Sequence, residues 1–216
     1  MKRTVKVGLL FGLAIGVAEL PATAQETQNS LFTAAVGAGF TTPVYHTGTV
    51  LDMGWNFNAQ AGIQLFGAHL GLVGEFMYND MGINSTTLNN LNFPAGSTHI
   101  WAFTGDPVIR FNPNGKVDFY LIGGPGIYHR HVEFTQPGVA TFTGFDPFFG
   151  VFYPIAVPTN QVLLSYDANK LGVNGGAGFN FHLGSGHAKF FAEARYHEMF
   201  TNRNTAFIPV TFGFRW

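Results

Sequence analysis

From Leu31 onward, apolar and polar residues alternate along the chain, the period of two that marks strands with unlike faces. The last stretch displays it most plainly: Ile208, Val210, Phe212, Phe214 and Trp216 fall on one face, and Phe207, Pro209, Thr211, Gly213 and Arg215 on the other. Between Leu171 and Leu183 the odd positions are apolar or small, while the even ones are all Gly, Asn or His. The same alternation predicts strands near 31–41, 55–66, 70–79, 98–111, 117–131, 169–183, 189–199 and 206–216. Connections after the second, fourth and sixth strands are tight, at 67–69, 112–116 and 184–188. Those after the first, third and fifth run to about 13, 18 and 37 residues, and the seventh is a shorter one around 201–205. Short turns at one end and long connections at the other are the plan of an all-β, eight-stranded antiparallel up-and-down transmembrane barrel.

A soluble barrel with the same spacing would place its charges outward. Here one face of every strand is almost free of charge, and the other holds Glu75, Asp106, Arg110, Asp118, Arg130, Glu193, Arg195 and Arg215, with Asn56, Asn58, Gln60 and Gln64. An Arg or Lys facing lipid at the midplane costs roughly 2–4 kcal/mol, which assigns this face to the lumen. Period two then turns Trp101, Phe103, Phe119, Leu121, Phe179, Phe190, Phe212 and Trp216 toward lipid. A polar inside with an apolar outside is stable only in a bilayer.

Composition strengthens this picture. The 216 residues are 46% hydrophobic and 11% charged, with 24 Phe and 28 Gly, against about 25% charged residues in ordinary soluble domains. No cysteine is present, which excludes disulfides and thiolate metal sites. The formal net charge of −1 provides no electrostatic footprint for nucleic acid. Residues 1–24 carry a basic start (Lys2, Arg3, Lys6), an apolar run and Ala22–Thr23–Ala24, the pattern of a cleaved secretory signal peptide. Its removal takes three bases and Glu19 away from totals of 11 and 12, leaving 8 basic and 11 acidic residues and a net charge of −3 on a barrel domain of residues 25–216.

The segments "FIPVTFGFRW", "FFAEARYH" and "FYLIGGPGIYHR" resemble strands of the small OmpA/OmpX-type outer-membrane β-barrel proteins. The resemblance implies the outer membrane of a Gram-negative cell as the location, and outer-membrane lipids and lipopolysaccharide as surroundings. It also implies that Phe212, Phe214 and Trp216 form a C-terminal signal for the barrel-assembly machinery. It implies no shared catalytic residues and no cofactor. With the strand pattern running to Trp216, no appended peptidoglycan-binding domain is expected.

Eight strands enclose a lumen that side chains can fill. Pairing across 112–116 is expected to set Arg110 opposite Asp118, and Glu193 and Arg195 are i, i+2 neighbours on one inner face, so the lumen charges should form a paired network. Three other groups suggest chemistry. "GGPG" and "NGGAG" lack the lysine and following helix of a phosphate loop, and glycine within a barrel strand more often marks close packing. His129 and His131 share a face and could chelate a metal with His46, His99 or a carboxylate, although a polar rim at headgroup level is the plainer reading and no metal site is expected. A lipid A deacylase resembles His-x-Ser beside an acid; here His197 is followed by Glu198 and Met199, and only Ser165 from the long connection could serve it.

The long connection 132–168 is itself unusual. Thr143–Pro154 reads "TGFDPFFGVFYP", whose prolines and glycines argue for a loop rather than a strand, yet Phe142, Phe145, Phe148, Phe149, Phe152 and Tyr153 make it apolar. Such a loop is expected to cap the barrel mouth or to meet a ligand outside the cell. The expected role is therefore structural or surface-interacting, without catalysis. The alternative is a narrow conduit or binding protein for small hydrophobic molecules gated by 132–168, and a lipid A-modifying enzyme stands third.

Overall fold

The computed structural model describes residues 31–66, 68–183 and 188–216. The expected signal peptide, residues 1–24, and residues 184–187 of the sixth connection lie outside them. Alternation produces the strands expected of it: β1 (Phe32–Pro43), β2 (Leu51–Leu65), β3 (Leu70–Ile83), β4 (Ala95–Arg110), β5 (Val117–Asp146), β6 (Val151–His182), β7 (Lys189–Met199) and β8 (Thr205–Arg215). Each pairs antiparallel with its neighbours, and β8 returns to β1 from Ala35↔Arg215 to Pro43↔Phe207, closing an eight-stranded barrel with no free edge in the wall.

The two faces separate as period two requires. Phe103, Leu121, Phe179, Phe212 and Trp216 are exposed on the outer surface, while Asn56, Asp106, Asp118 and Arg195 are buried inside. Prolines sit where the ladder can spare a donor. The β4–β5 pairs skip from Thr104↔Gly126 to Val108↔Ile122 around Pro107 and Pro125, and the β7–β8 pairs skip from Ala194↔Val210 to His197↔Phe207 beside Pro209. Glycine makes room in the lumen at Gly178, where a Cβ would stand 2.5 Å from the Tyr120 hydroxyl.

The connections carry structure of their own. The first holds a single helical turn, α1 (Tyr45–Gly48), and the third holds α2 (Ser85–Leu91). The side chain of Asn84 caps α2 by accepting from the Thr87 N–H, and Asn92 ends it in the left-handed conformation. The expectation for the fifth is revised. Residues 132–168 are no loop: β5 and β6 continue as one hairpin, registered from Gln136↔Gln161 to Asp146↔Val151, and turn at Gly150, whose φ of 66° suits glycine. Beyond Ala95↔Thr135 no other strand pairs with this arm. At about 3.3 Å per residue it stands roughly 35 Å clear of the wall.

Proline does not prevent this, because the arm is edge strand on both sides. Pro137, Pro154 and Pro158 all belong to pairs at odd β5 positions (Pro137↔Asn160, Thr143↔Pro154, Val139↔Pro158). These are alternate sites of one class, where a missing N–H removes no bond between the two strands. The three prolines then blunt the outer edges against further pairing.

Candidate functional site

The barrel interior is built in storeys. At the centre, Arg195 projects from β7 with only 1% of its surface exposed and addresses three carboxylates. Its Nη2 donates to Glu75 Oε2 at 2.6 Å, its Nε to Glu193 Oε1 at 2.7 Å and its Nη1 to Asp106 Oδ2 at 2.9 Å. Neutral donors complete the shell: Asn58 and Gln60 to Glu75, Tyr120 to Glu193, and Thr104 and Asn174 to Asp106. Buried charges are tolerable only with partners of this kind.

Below it, Arg215 donates to Gln60 and Asn180 and lies 3.9 Å from Glu193 Oε2, with its guanidinium 4.8 Å from the Tyr120 ring centre. Arg110 approaches Asp118 at 3.6 Å, but diagonally: the residue opposite Arg110 is Tyr120. Expecting Asp118 there misjudged the turn at 112–116 by two positions. Arg130 is set apart from the network, since its Nη1 bonds Thr205 Oγ1 at 2.8 Å and among the described residues no carboxylate pairs with it.

What separates Arg130 from the others is an apolar storey that alternation alone did not indicate. Met81, Ile100, Tyr128, Met199 and Phe207 point inward from five strands and are buried together above the charges. His197 completes it, stacked on Phe207 with ring centres 5.3 Å apart and in hydrogen-bond contact with the Tyr128 hydroxyl at 3.0 Å. The lumen is polar in its centre and apolar toward the extracellular end.

The arm contrasts with this sealed interior. Phe142, Phe145, Phe148, Phe149, Phe152 and Tyr153 are all exposed, from 46% at Tyr153 to 88% at Phe148. Phe145 packs on Phe152 and Phe148 on Phe149, with ring centres 4.9 and 5.1 Å apart. None of the six lines the cavity at the barrel mouth, so they form no lid over it.

The profile of the family described as outer membrane protein beta-barrel domain matches residues 10–215. The chain belongs to that outer-membrane β-barrel family. Its place is the outer membrane. Neisserial surface protein A superposes on this barrel with a TM-score of 0.56 at 12% identity, over 86% of this chain and 96% of its own, which shows the shared fold. Two further similar crystal structures are the outer membrane protein OprG from Pseudomonas aeruginosa (TM-score 0.49, 10% identity, 86% and 95% covered) and Ail, the attachment invasion locus protein of Yersinia pestis, with the heparin analogue sucrose octasulfate (0.48, 20%, 86% and 99%). No curated protein sequence matches.

In this outer-membrane barrel the remaining candidates fall as follows. Phe212 and Phe214 on β8 and Trp216 just beyond it face outward, and Trp216 exchanges two backbone hydrogen bonds with Ala34 at the seam. Ser165 and His197 are not brought together. His197 pairs with Asn174 and is buried in the lumen, whereas Ser165 is exposed opposite Glu133. The nine positions of β6 between Asn174 and Ser165 span about 30 Å.

His129 and His131 face outward, and His129 stacks on Trp101 opposite it with ring centres 4.6 Å apart. His131 Nδ1 meets Asp167 Oδ1 at 2.7 Å, His129 Nε2 lies 3.3 Å from the same oxygen, and the His99 ring stacks on His131 at 6.2 Å. The hydrogen bond from His131 holds the Asp167 carboxyl below its usual value, outweighing desolvation with the help of the charge of both histidines and a hydrogen bond from His129. His46 lies elsewhere, 3.5 Å from Arg203. Among the described residues no group of three or more His, Cys, Asp or Glu is placed to hold a metal ion.

Proposed function

We propose that this protein is a closed, non-catalytic outer-membrane scaffold whose working part is the β5–β6 arm, which presents an apolar tip to surfaces outside the cell. The observation that carries this reading is the exposure of all six arm aromatics on a hairpin that nothing in the barrel covers. Burying one Phe or Tyr stabilises by roughly 1.5–3 kcal/mol, so a contact that covers all six offers on the order of 10 kcal/mol before ordering costs. The network around Arg195 and the apolar storey above it support a structural rather than a conducting lumen. Lipopolysaccharide and outer-membrane lipids surround the outer face, and the exposed Phe212, Phe214 and Trp216 suit a C-terminal signal read by the barrel-assembly machinery.

The test compares cells that display the full chain with cells that display a form lacking 136–161, matched for surface amount. Attachment to phenyl-coated and polystyrene surfaces is expected to fall on deletion and also in Phe148→Ser/Phe149→Ser. Equal attachment by all three would refute the reading.

A further inference from the structure

The guanidiniums inside the barrel divide into two kinds. Arg110, Arg195 and Arg215 each have a carboxylate within 4 Å. Arg130, which lines the mouth, has none among the described residues. Its Nη1 is held by Thr205, while its Nε is buried without a hydrogen-bond partner. Thr98 Oγ1, across the same space, is also buried and unpartnered.

Both side chains line a cavity of about 500 Å³ at the extracellular end, enclosed by α1, the upper parts of β4, β5 and β6, and the β7–β8 connection. His46, Lys170 and Arg203 also line it, and among the described residues no Asp or Glu does. Lys170 forms no ion pair among the described residues, and Arg203 meets only His46 from its side chain. Glu198 faces a neighbouring depression, where Asn204 and Tyr196 donate to it. Aliphatic side chains share the lining, Leu51 and Ile83 from β2 and β3 and, beside Arg130 and Lys170, Val132 and Ala168. Beneath lies the storey of Ile100, Tyr128 and Phe207, so the cavity is a blind cup and not the entrance of a channel.

A cup that combines unpaired cations with aliphatic side chains suits a ligand that is itself part anionic and part apolar. We propose that the mouth cavity binds a small organic carboxylate with a compact apolar body. Arg130 and Lys170 take the carboxylate, Arg203 closes over it, and the apolar part rests on Leu51, Ile83 and Val132. A planar guanidinium pre-positioned by Thr205 is suited to two-point recognition of a carboxylate, and the cavity volume lies in the range of small-molecule sites. This site does not depend on the aromatic arm, whose tip is remote from it.

Phenylacetate serves as the probe and phenylacetamide as its neutral counterpart, titrated into the full chain in lipid nanodiscs and followed by the amide resonances of Val132, Lys170 and Thr205. Phenylacetate is expected to produce saturable shifts at these positions. Phenylacetamide and inorganic phosphate are expected to bind at least tenfold more weakly, and Arg130→Gln or Lys170→Gln to weaken phenylacetate at least tenfold in barrels that keep the wild-type spectrum elsewhere. Binding retained in the form lacking 136–161 would separate this site from the arm. Equal affinity for the amide, equal or tighter binding of phosphate, unchanged binding in a folded Arg130→Gln barrel, or no saturable shift would each overturn the proposal.

Discussion

Replacing Arg195 by alanine removes the one cation that three buried carboxylates share. Its Nε, Nη1 and Nη2 each address a different acid at 2.7, 2.9 and 2.6 Å, and none of the four charged groups has appreciable contact with solvent. Removing one member of such a cluster costs about 3–5 kcal/mol, because the charges left behind lose their partner in a region of low polarity. Scaled by the 2–4 °C per kcal/mol typical of 150–250-residue chains, the melting temperature should fall by about 6–20 °C. Arg195→Lys should fall between the two, since one ammonium cannot span three acids with the spread of a guanidinium. Heat-dependent gel mobility in a single detergent provides the readout. The double variant Arg195→Ala/Glu75→Gln distinguishes unpaired charge from lost packing: it should melt higher than Arg195→Ala alone. An unchanged melting temperature in Arg195→Ala, or a double variant no better than the single, would refute the reasoning.

Two further outcomes follow from local geometry. Gly178→Ala should lower the melting temperature by a few degrees, in keeping with an overpacking cost of about 1–3 kcal/mol, because its Cβ would stand 2.5 Å from the Tyr120 hydroxyl; Gly105→Ala, which meets nothing within 4 Å, should leave it unchanged in the same assay. Asp167 should titrate below 3.8 by side-chain carbon NMR and return toward that value in His131→Ala. Because its folded value is depressed, whatever stability this pair contributes is present above pH 3.8 and disappears as the pH falls through the lower, folded value.

The fold was legible because alternation in a membrane protein has a single physical meaning per face. Glu75, Asp106, Glu193 and Arg195 occur at alternate positions on three different strands, and no other arrangement keeps them all out of lipid. Register was less legible: Arg110 and Asp118 flank a turn whose geometry decides whether they pair directly or diagonally, and the letters of 112–116 permit either. The apolar storey escaped notice because inward-facing Met81, Ile100 and Phe207 differ from lipid-facing residues only by parity within their strands.

The arm was misread for a different reason. Pro137, Pro154 and Pro158 speak against a strand in the middle of a sheet, but a hairpin free on both sides has half its positions open to proline. Counting parity back from Asn174 and Gly172 would also have placed Lys170 inward, beside Arg130, and so marked the cationic mouth. Nothing in the sequence marks Arg203, which reaches the cavity from a connection.

The claim on which the rest depends is that the lumen is closed by its own side chains and not by the arm. Planar-bilayer recording of the refolded full chain, beside the form lacking 136–161, tests this directly. The account predicts no steady conductance from either protein, because the Arg195 cluster and the storey of Met81, Ile100, Tyr128, Met199 and Phe207 remain in both. A steady current from the full chain would contradict a sealed lumen, and one that arises only after deletion would make the arm the gate that its position denies.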